Sequence, residues 1–217
     1  MKALTFTYQA VLLLTTLTGV VRFSRLTAPV KVLVALLFIT CVCEGISTSL
    51  AHSRCNNIIV YHFLVIISFW FYSFIYYLLI ATPRLRLRIL LIPLLYTPLA
   101  LVNSLYFEKL TEFPSVNLIL YGISLSVYAI LYFKHLIDLD LFEPSIKNPI
   151  FLFNTAVLTY YTVETFNWGI TRYMISKRIM TLDPLIYFGY IVSILYYFTL
   201  GISILLCNKD PAPPPKK

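Results

Sequence analysis

The sequence predicts an all-α, polytopic membrane protein: seven transmembrane helices in one bundle. Three observations point there. Seven apolar stretches of near-bilayer length fill most of the 217 residues. The mean hydropathy is +0.83. Charged residues make up 12% of the chain, against roughly 25% in soluble domains. A hydrocarbon core of ~30 Å needs about 20 apolar residues as helix. The runs are continuous rather than alternating with period two, which argues against a membrane β-barrel.

The spans are expected at 3–21, 30–51, 58–81, 89–107, 115–134, 149–170 and 185–207, so that residues 1–207 form one transmembrane domain. Polar or helix-breaking residues separate them. These are Arg22 to Pro29, His52 to Asn57, Pro83 to Arg88 with three arginines, Glu108 to Pro114, Asp138 to Pro149, and a short amphipathic run from Arg172 to Pro184. No connection is long enough for a soluble domain. The first span reads as retained, because only Lys2 precedes it and Thr18-Gly19-Val20-Val21 is a poor cleavage site. Residues 208–217 form a Pro-rich basic tail, too rich in proline for helix: expected to be an extended, solvated segment with a basic membrane-surface role, the alternative being a polyproline II segment that a cytosolic partner reads.

Orientation follows from the basic residues. With the N-terminus outside, the inner segments hold Arg22, Arg25, Lys31, Arg84, Arg86, Arg88, Lys134, Lys147, Lys209, Lys216 and Lys217. The outer segments hold Lys2, Arg54, Lys109, Arg172, Lys177 and Arg178. That bias predicts a cell (inner) membrane protein, N-terminus outside and C-terminus cytosolic. The last outer connection, with three of the six outer charges, runs against it. The net charge of +8 belongs to span ends facing anionic headgroups, not to a nucleic-acid surface. The partners implied are the lipid bilayer and possible membrane or tail-binding proteins.

Cys41, Cys43, Cys55 and Cys207 imply no disulfide framework. Cys41 and Cys43 point about 200° apart on a helix, which disfavours a shared metal. No cofactor is implied.

Polar groups within the spans are the specific signal, because ionisable residues there are costly and face the bundle interior. Glu44 lies ~20 Å along its helix from Lys31. Thr40, Cys41, Glu44, Ser47, Thr48 and Ala51 share a stripe of small and polar residues at helical spacing. Glu164 lies ~22 Å from Pro149, at nearly the same depth. Asn154, Tyr161, Thr165 and Trp168 lie on a neighbouring stripe, with Asn167 one turn further out. His62 enters the third span roughly 6 Å deep, and Asn103 lies near the outer end of the fourth. The expectation is an outer polar pocket with Glu44 and Glu164 at its base, His62 at its mouth, and Asn103 and Asn167 beside it. The competing expectation is that each Glu is satisfied by a hydroxyl on a neighbouring helix. No Gly-x-Ser-x-Gly elbow, second intramembrane His or His/Asp metal spacing supports an enzyme, and no mid-helix Lys in the seventh span supports a retinal Schiff base.

Further features are the run Phe69-Trp-Phe-Tyr-Ser-Phe-Ile-Tyr-Tyr77, expected mainly to pack helices, and Pro93 and Pro98 around Tyr96, of the kind that marks broken helices in transporters. An ungapped offset of 120 residues aligns Tyr8 with Tyr128, Glu44 with Glu164, Ser73 with Ser193 and Tyr76-Tyr77 with Tyr196-Tyr197. It lays spans one to three over five to seven, a parallel-repeat layout that leaves the fourth as linker.

Three segments resemble a group of small bacterial seven-helix membrane proteins with no assigned activity: Gly19-Val-Val-Arg-Phe-Ser-Arg-Leu-Thr27, Cys43-Glu-Gly-Ile-Ser with Asn56-Asn-Ile-Ile-Val-Tyr-His-Phe63, and Asn148-Pro-Ile-Phe-Leu-Phe-Asn-Thr-Ala-Val157. The resemblance implies topology only. The build is also similar to the seven-helix sensor modules fused to bacterial signalling enzymes. The resulting expectation is a non-enzymatic sensor or accessory subunit that binds a small or lipidic ligand, or a membrane partner. The alternative is a small proton-coupled transporter using Glu44 and Glu164.

Overall fold

The computed structural model describes residues 2–142, 144–178 and 182–208. The expected tail lies, from Lys209 on, outside the described residues. The described residues form seven long helices: α1 Lys2–Val21, α2 Ala28–His52, α3 Ile58–Leu79, α4 Pro83–Val102, α5 Ser115–Asp138, α6 Pro149–Ser176 and α7 Asp183–Leu206. Four of them, α2, α4, α6 and α7, start with proline in the first turn. There the missing N–H has no intrahelical partner to lose, and φ is already helical. Asn148 caps α6, its Oδ1 accepting from the N–H groups of Ile150 and Phe151.

Two helix ends lie furthest from the spans read in sequence. Pro83 initiates α4, so Arg84, Arg86 and Arg88 sit in its first turns and not in a connection. Arg86 lies 5.4 Å over the Tyr77 ring and donates to the Ile80 carbonyl. At the other end, α6 runs past residue 170 to Ser176, so Arg172 is presented from a helix. After α4, Asn103–Phe107 make one wider π-type turn.

Successive helices alternate in direction. Tyr8 near the start of α1 bonds Glu44 near the end of α2, and Arg172 late in α6 reaches Ser115 at the start of α5. At the opposite end Arg22 reaches the Cys207 carbonyl, and Ser203 donates to the Pro149 carbonyl. The end where the chain begins is called the N-side below, the other the C-side.

Six helices close a ring in the order α1, α2, α3, α5, α6, α7 and back to α1, and α4 packs outside it against α3. Exchanging α1–α3 for α5–α7 leaves every neighbour pair of this ring unchanged, which is the helix-level relation the 120-residue offset predicts. Side-chain roles do not all follow: the Tyr8 hydroxyl goes to Glu44, that of Tyr128 to the Ile89 carbonyl.

Six of the seven helices are long and apolar enough to cross a membrane; the exception is α6. Its Asn154, Glu164 and Asn167 are all buried, pointing into the ring rather than outward. The outer surface carries exposed Phe6, Leu14, Leu95, Leu99, Phe166 and Leu195, a lipid-facing belt. This is a polytopic membrane protein.

Within the aromatic run of α3, Phe69, Tyr72 and Tyr76 are buried while Trp70 and Phe74 face outward. Phe69 packs edge-on against Tyr96 at 4.8 Å, and Tyr76 against Tyr128 at 5.6 Å. The run packs helices, and of these residues only Tyr72 reaches the cavity described next.

Candidate functional site

The ring encloses a cavity with two adjoining lobes, of about 230 Å³ and about 400 Å³. The first is lined from all six ring helices: Tyr8 of α1, Glu44 of α2, Tyr61 and Tyr72 of α3, Tyr121 of α5, Tyr160 and Trp168 of α6, and Tyr197 of α7. The second shares Tyr8, Glu44, Tyr61, Phe113, Tyr160 and Trp168 with it, then continues past Glu164 and Asn167 to Thr171, Ile175 and Leu185 at the N-side, between α6 and α7. Glu44 and Glu164 thus border one space, as their equal depth in the sequence suggested.

The two carboxylates differ in how far their oxygens are satisfied. Glu44 Oε1 accepts from the Tyr8 hydroxyl at 3.0 Å, and both oxygens lie 3.3–3.4 Å from the Tyr61 hydroxyl. Glu164 is 3% exposed. Its Oε2 accepts from Asn167 Nδ2 at 3.1 Å, and its Oε1 has no partner; Asn167 Oδ1 has none either. Gly189 of α7 faces this pair. A Cβ there would lie 3.2 Å from Asn167 Nδ2 and 3.6 Å from Glu164 Oε1, so the absent side chain leaves the carboxylate room.

The walls are aromatic. Tyr8 stands 5.6 Å from Tyr190 and 5.8 Å from Tyr197, and Tyr160 stacks on Tyr196 at 4.2 Å. The floor is a layer of hydroxyls. Tyr72 bonds Tyr196 across the centre of the ring, from α3 to α7, and Tyr121 bonds Tyr161 at 2.9 Å. Beneath it Leu33, Ile75, Val157 and Leu200 are at most 1% exposed, and the C-side half is closed by packed side chains.

His62 and Asn103 do not line the cavity. His62 is 2% exposed; its Nε2 donates to the Glu112 carbonyl at 2.9 Å and its Nδ1 lies 2.8 Å from Ser104 Oγ. Asn103 Nδ2 donates to Glu108 Oε2 and Asn117 Oδ1. Both serve a second network on the far side of α3, centred on Glu108. The expected mouth at His62 is therefore corrected. Depth along a helix was legible, but the direction in which each side chain leaves it was not. The proline-bearing α4 likewise lies outside the ring and contributes no residue to either lobe.

The polar stripe of α2 divides. Thr40 and Glu44 face the cavity, whereas Cys41 and Thr48 face α1, bonding Thr16 Oγ1 at 3.2 Å and Gln9 Nε2 at 3.0 Å. All four cysteines are free. Among the described residues no cluster of His, Cys, Asp and Glu is suited to a metal ion.

Fold and site together define a class: a polytopic helical membrane protein with an aromatic, carboxylate-bearing cavity at the centre of its ring. No protein-family model, curated protein or solved structure matches the chain, and the likeness of its three segments to small bacterial membrane proteins has no counterpart in these comparisons.

Proposed function

We propose that this protein is a non-enzymatic receptor or accessory subunit that admits a small ligand from the N-side into the central cavity. The observation that supports this best is the lining. A ligand in the first lobe touches all six ring helices at once, so occupancy biases how they sit against one another. In this reading the N-side is outside and the C-side cytosolic, following the basic residues. Arg172, one of the charges that ran against that bias, is paired with Glu108. The basic C-side connections and the Pro-rich tail are then where a partner registers the change.

The runner-up is a proton-coupled transporter using Glu44 and Glu164. It is favoured by the interchangeable halves of the ring and opposed by the packed C-side half.

Cysteine accessibility separates the two. In a variant lacking the four native cysteines, Thr171→Cys and Thr40→Cys are expected to react with a small membrane-impermeant thiol reagent from one side only, opposite a tag on the C-terminus, while Leu200→Cys stays unmodified. Reaction from both sides favours the transporter. Reaction of Thr171→Cys and Thr40→Cys from neither side removes the cavity as a binding site.

A further inference from the structure

Glu164 Oε1 and Asn167 Oδ1 are two buried, unbonded acceptors on residues one turn apart in α6, both lining the larger lobe. The Asn167 amide cannot turn to relieve this, because its Nδ2 already donates to Glu164 Oε2 at 3.1 Å and to the Leu185 carbonyl at 3.4 Å. Buried polar atoms are almost always bonded, and an unpaired pair within one site needs a cause. Only donors cure it. Water supplies two and a proton on the carboxyl one; a bound cation supplies donors and also compensates the charge of the ionised carboxylate in a low-dielectric space. The same lobe is lined by the rings of Tyr8, Tyr160, Tyr190 and Trp168, and aromatic faces attract cations through their negative quadrupoles. Calcium or magnesium is poorly served here, since each takes six or more oxygens, and among the described residues no group of His, Cys, Asp and Glu could hold a metal ion.

We propose that the cavity binds an organic primary ammonium ion, its N–H groups donating to Glu164 Oε1 and Asn167 Oδ1 in the space Gly189 leaves open, its apolar body held among the tyrosines and Trp168. This rests on the ligand-binding reading above and gives that ligand its chemical class. Glu44, already bonded by Tyr8 and Tyr61, supplies negative potential rather than the direct contact.

The chain has two tryptophans, and Trp70 lies outside the cavity, donating to Thr97 Oγ1 at 3.0 Å. Full-length protein carrying Trp70→Phe therefore reports cavity occupancy through Trp168 emission. Titration with phenethylammonium is expected to give a saturable change. N,N,N-trimethylphenethylammonium, with charge but no donor, and phenethyl alcohol, with a donor but no charge, are each expected to bind about tenfold more weakly or worse. Glu164→Gln is expected to weaken phenethylammonium by at least about tenfold. That variant should melt no lower than its parent, because the new amide can donate to Asn167 Oδ1. Gly189→Leu, which fills the space while keeping Glu164 itself in place, is expected to abolish the response.

Equal binding of the trimethylated ion or the alcohol, or an unchanged response in Glu164→Gln, overturns the primary-ammonium assignment while leaving a ligand-binding cavity in place. No response to any probe from protein that melts cooperatively also overturns it, and the cysteine accessibilities then decide the cavity independently.

Discussion

Arg172 Nη1 donates to Glu108 Oε1 across 2.5 Å, tying the C-terminal part of α6 to the connection before α5. The pair is lopsided: the Glu108 side chain is 9% exposed and that of Arg172 48%. Glu108 also accepts from Ser115 Oγ at 2.8 Å, from the Val116 N–H at 3.1 Å and from Asn103 Nδ2 at 2.8 Å. A carboxylate seven residues ahead of Ser115 thus caps the N-terminus of α5, where free N–H groups and the helix dipole favour negative charge. Glu108→Gln is expected to cost about 1–3 kcal/mol, since one amide oxygen cannot serve all these donors. Arg172→Met should cost less than about 1 kcal/mol, because the arginine is half solvated and its attraction screened. Unfolding of both variants in detergent, with and without added salt, checks the order. If Arg172→Met is the worse of the two, the cap assignment is wrong.

Gly122 of α5 sits against α6 with no room for a side chain. A Cβ there would come 2.2 Å from Thr165 Oγ1 and 3.3 Å from the Tyr161 carbonyl oxygen of α6. Small residues at such crossings let membrane helices pack backbone to backbone. Gly122→Ala is expected to destabilise by about 1–3 kcal/mol through overpacking. Adding Thr165→Ala removes the colliding oxygen and should recover most of that loss, which a thermal melt of the single and double variants reads directly.

Below the cavity floor, Asn154 is wholly buried. It accepts from the Tyr76 hydroxyl at 2.8 Å and donates to the Ala129 carbonyl at 3.0 Å, pinning α3 and α5 to α6. Asn154→Leu strands the Tyr76 hydroxyl in an apolar layer, at an expected cost of about 1–2 kcal/mol. In that background Tyr76→Phe should be neutral or stabilising, although alone it destabilises. The double-mutant cycle should give a coupling of roughly 0.6–1.7 kcal/mol; a value near zero would mean the bond contributes nothing.

How much of this was legible depended on the residue. Glu44 and Glu164 stood out because a carboxylate inside an apolar run must face the interior, and counting 1.5 Å per residue placed them at one level. Asn167, one turn beyond Glu164, followed from the same counting. His62 and Asn103 serve a different space from the one expected, since depth along a helix carries no information about which neighbour a side chain turns toward. Glu108 carried no signal, because a carboxylate in a polar connection looks solvated until the start of α5 is seen folded over it. Tyr8, Tyr61, Tyr160 and Tyr197 were hidden by abundance: with 17 tyrosines, spacing alone cannot sort cavity walls from interface belts. The exclusion of α4 was equally hidden, for its apolar residues lie on every side.

That outlying helix is held to the ring in part by a bond its own proline makes necessary. Pro93 lies inside α4 and has no N–H to donate to the carbonyl of Ile89 one turn earlier. In a membrane such a carbonyl must find another donor. The Tyr128 hydroxyl of α5 provides it at 2.8 Å, and both residues are at most 1% exposed. Tyr128→Phe should therefore cost about 1 kcal/mol in the native background. In a Pro93→Ala background the restored N–H can close the α-helical bond to Ile89, and the same substitution should then cost only a few tenths of a kcal/mol. The quantity to measure is the difference between those two costs, from unfolding of the four proteins of the cycle. Equal costs would mean that the tyrosine acts through its packed ring and not as a substitute for the missing proline donor.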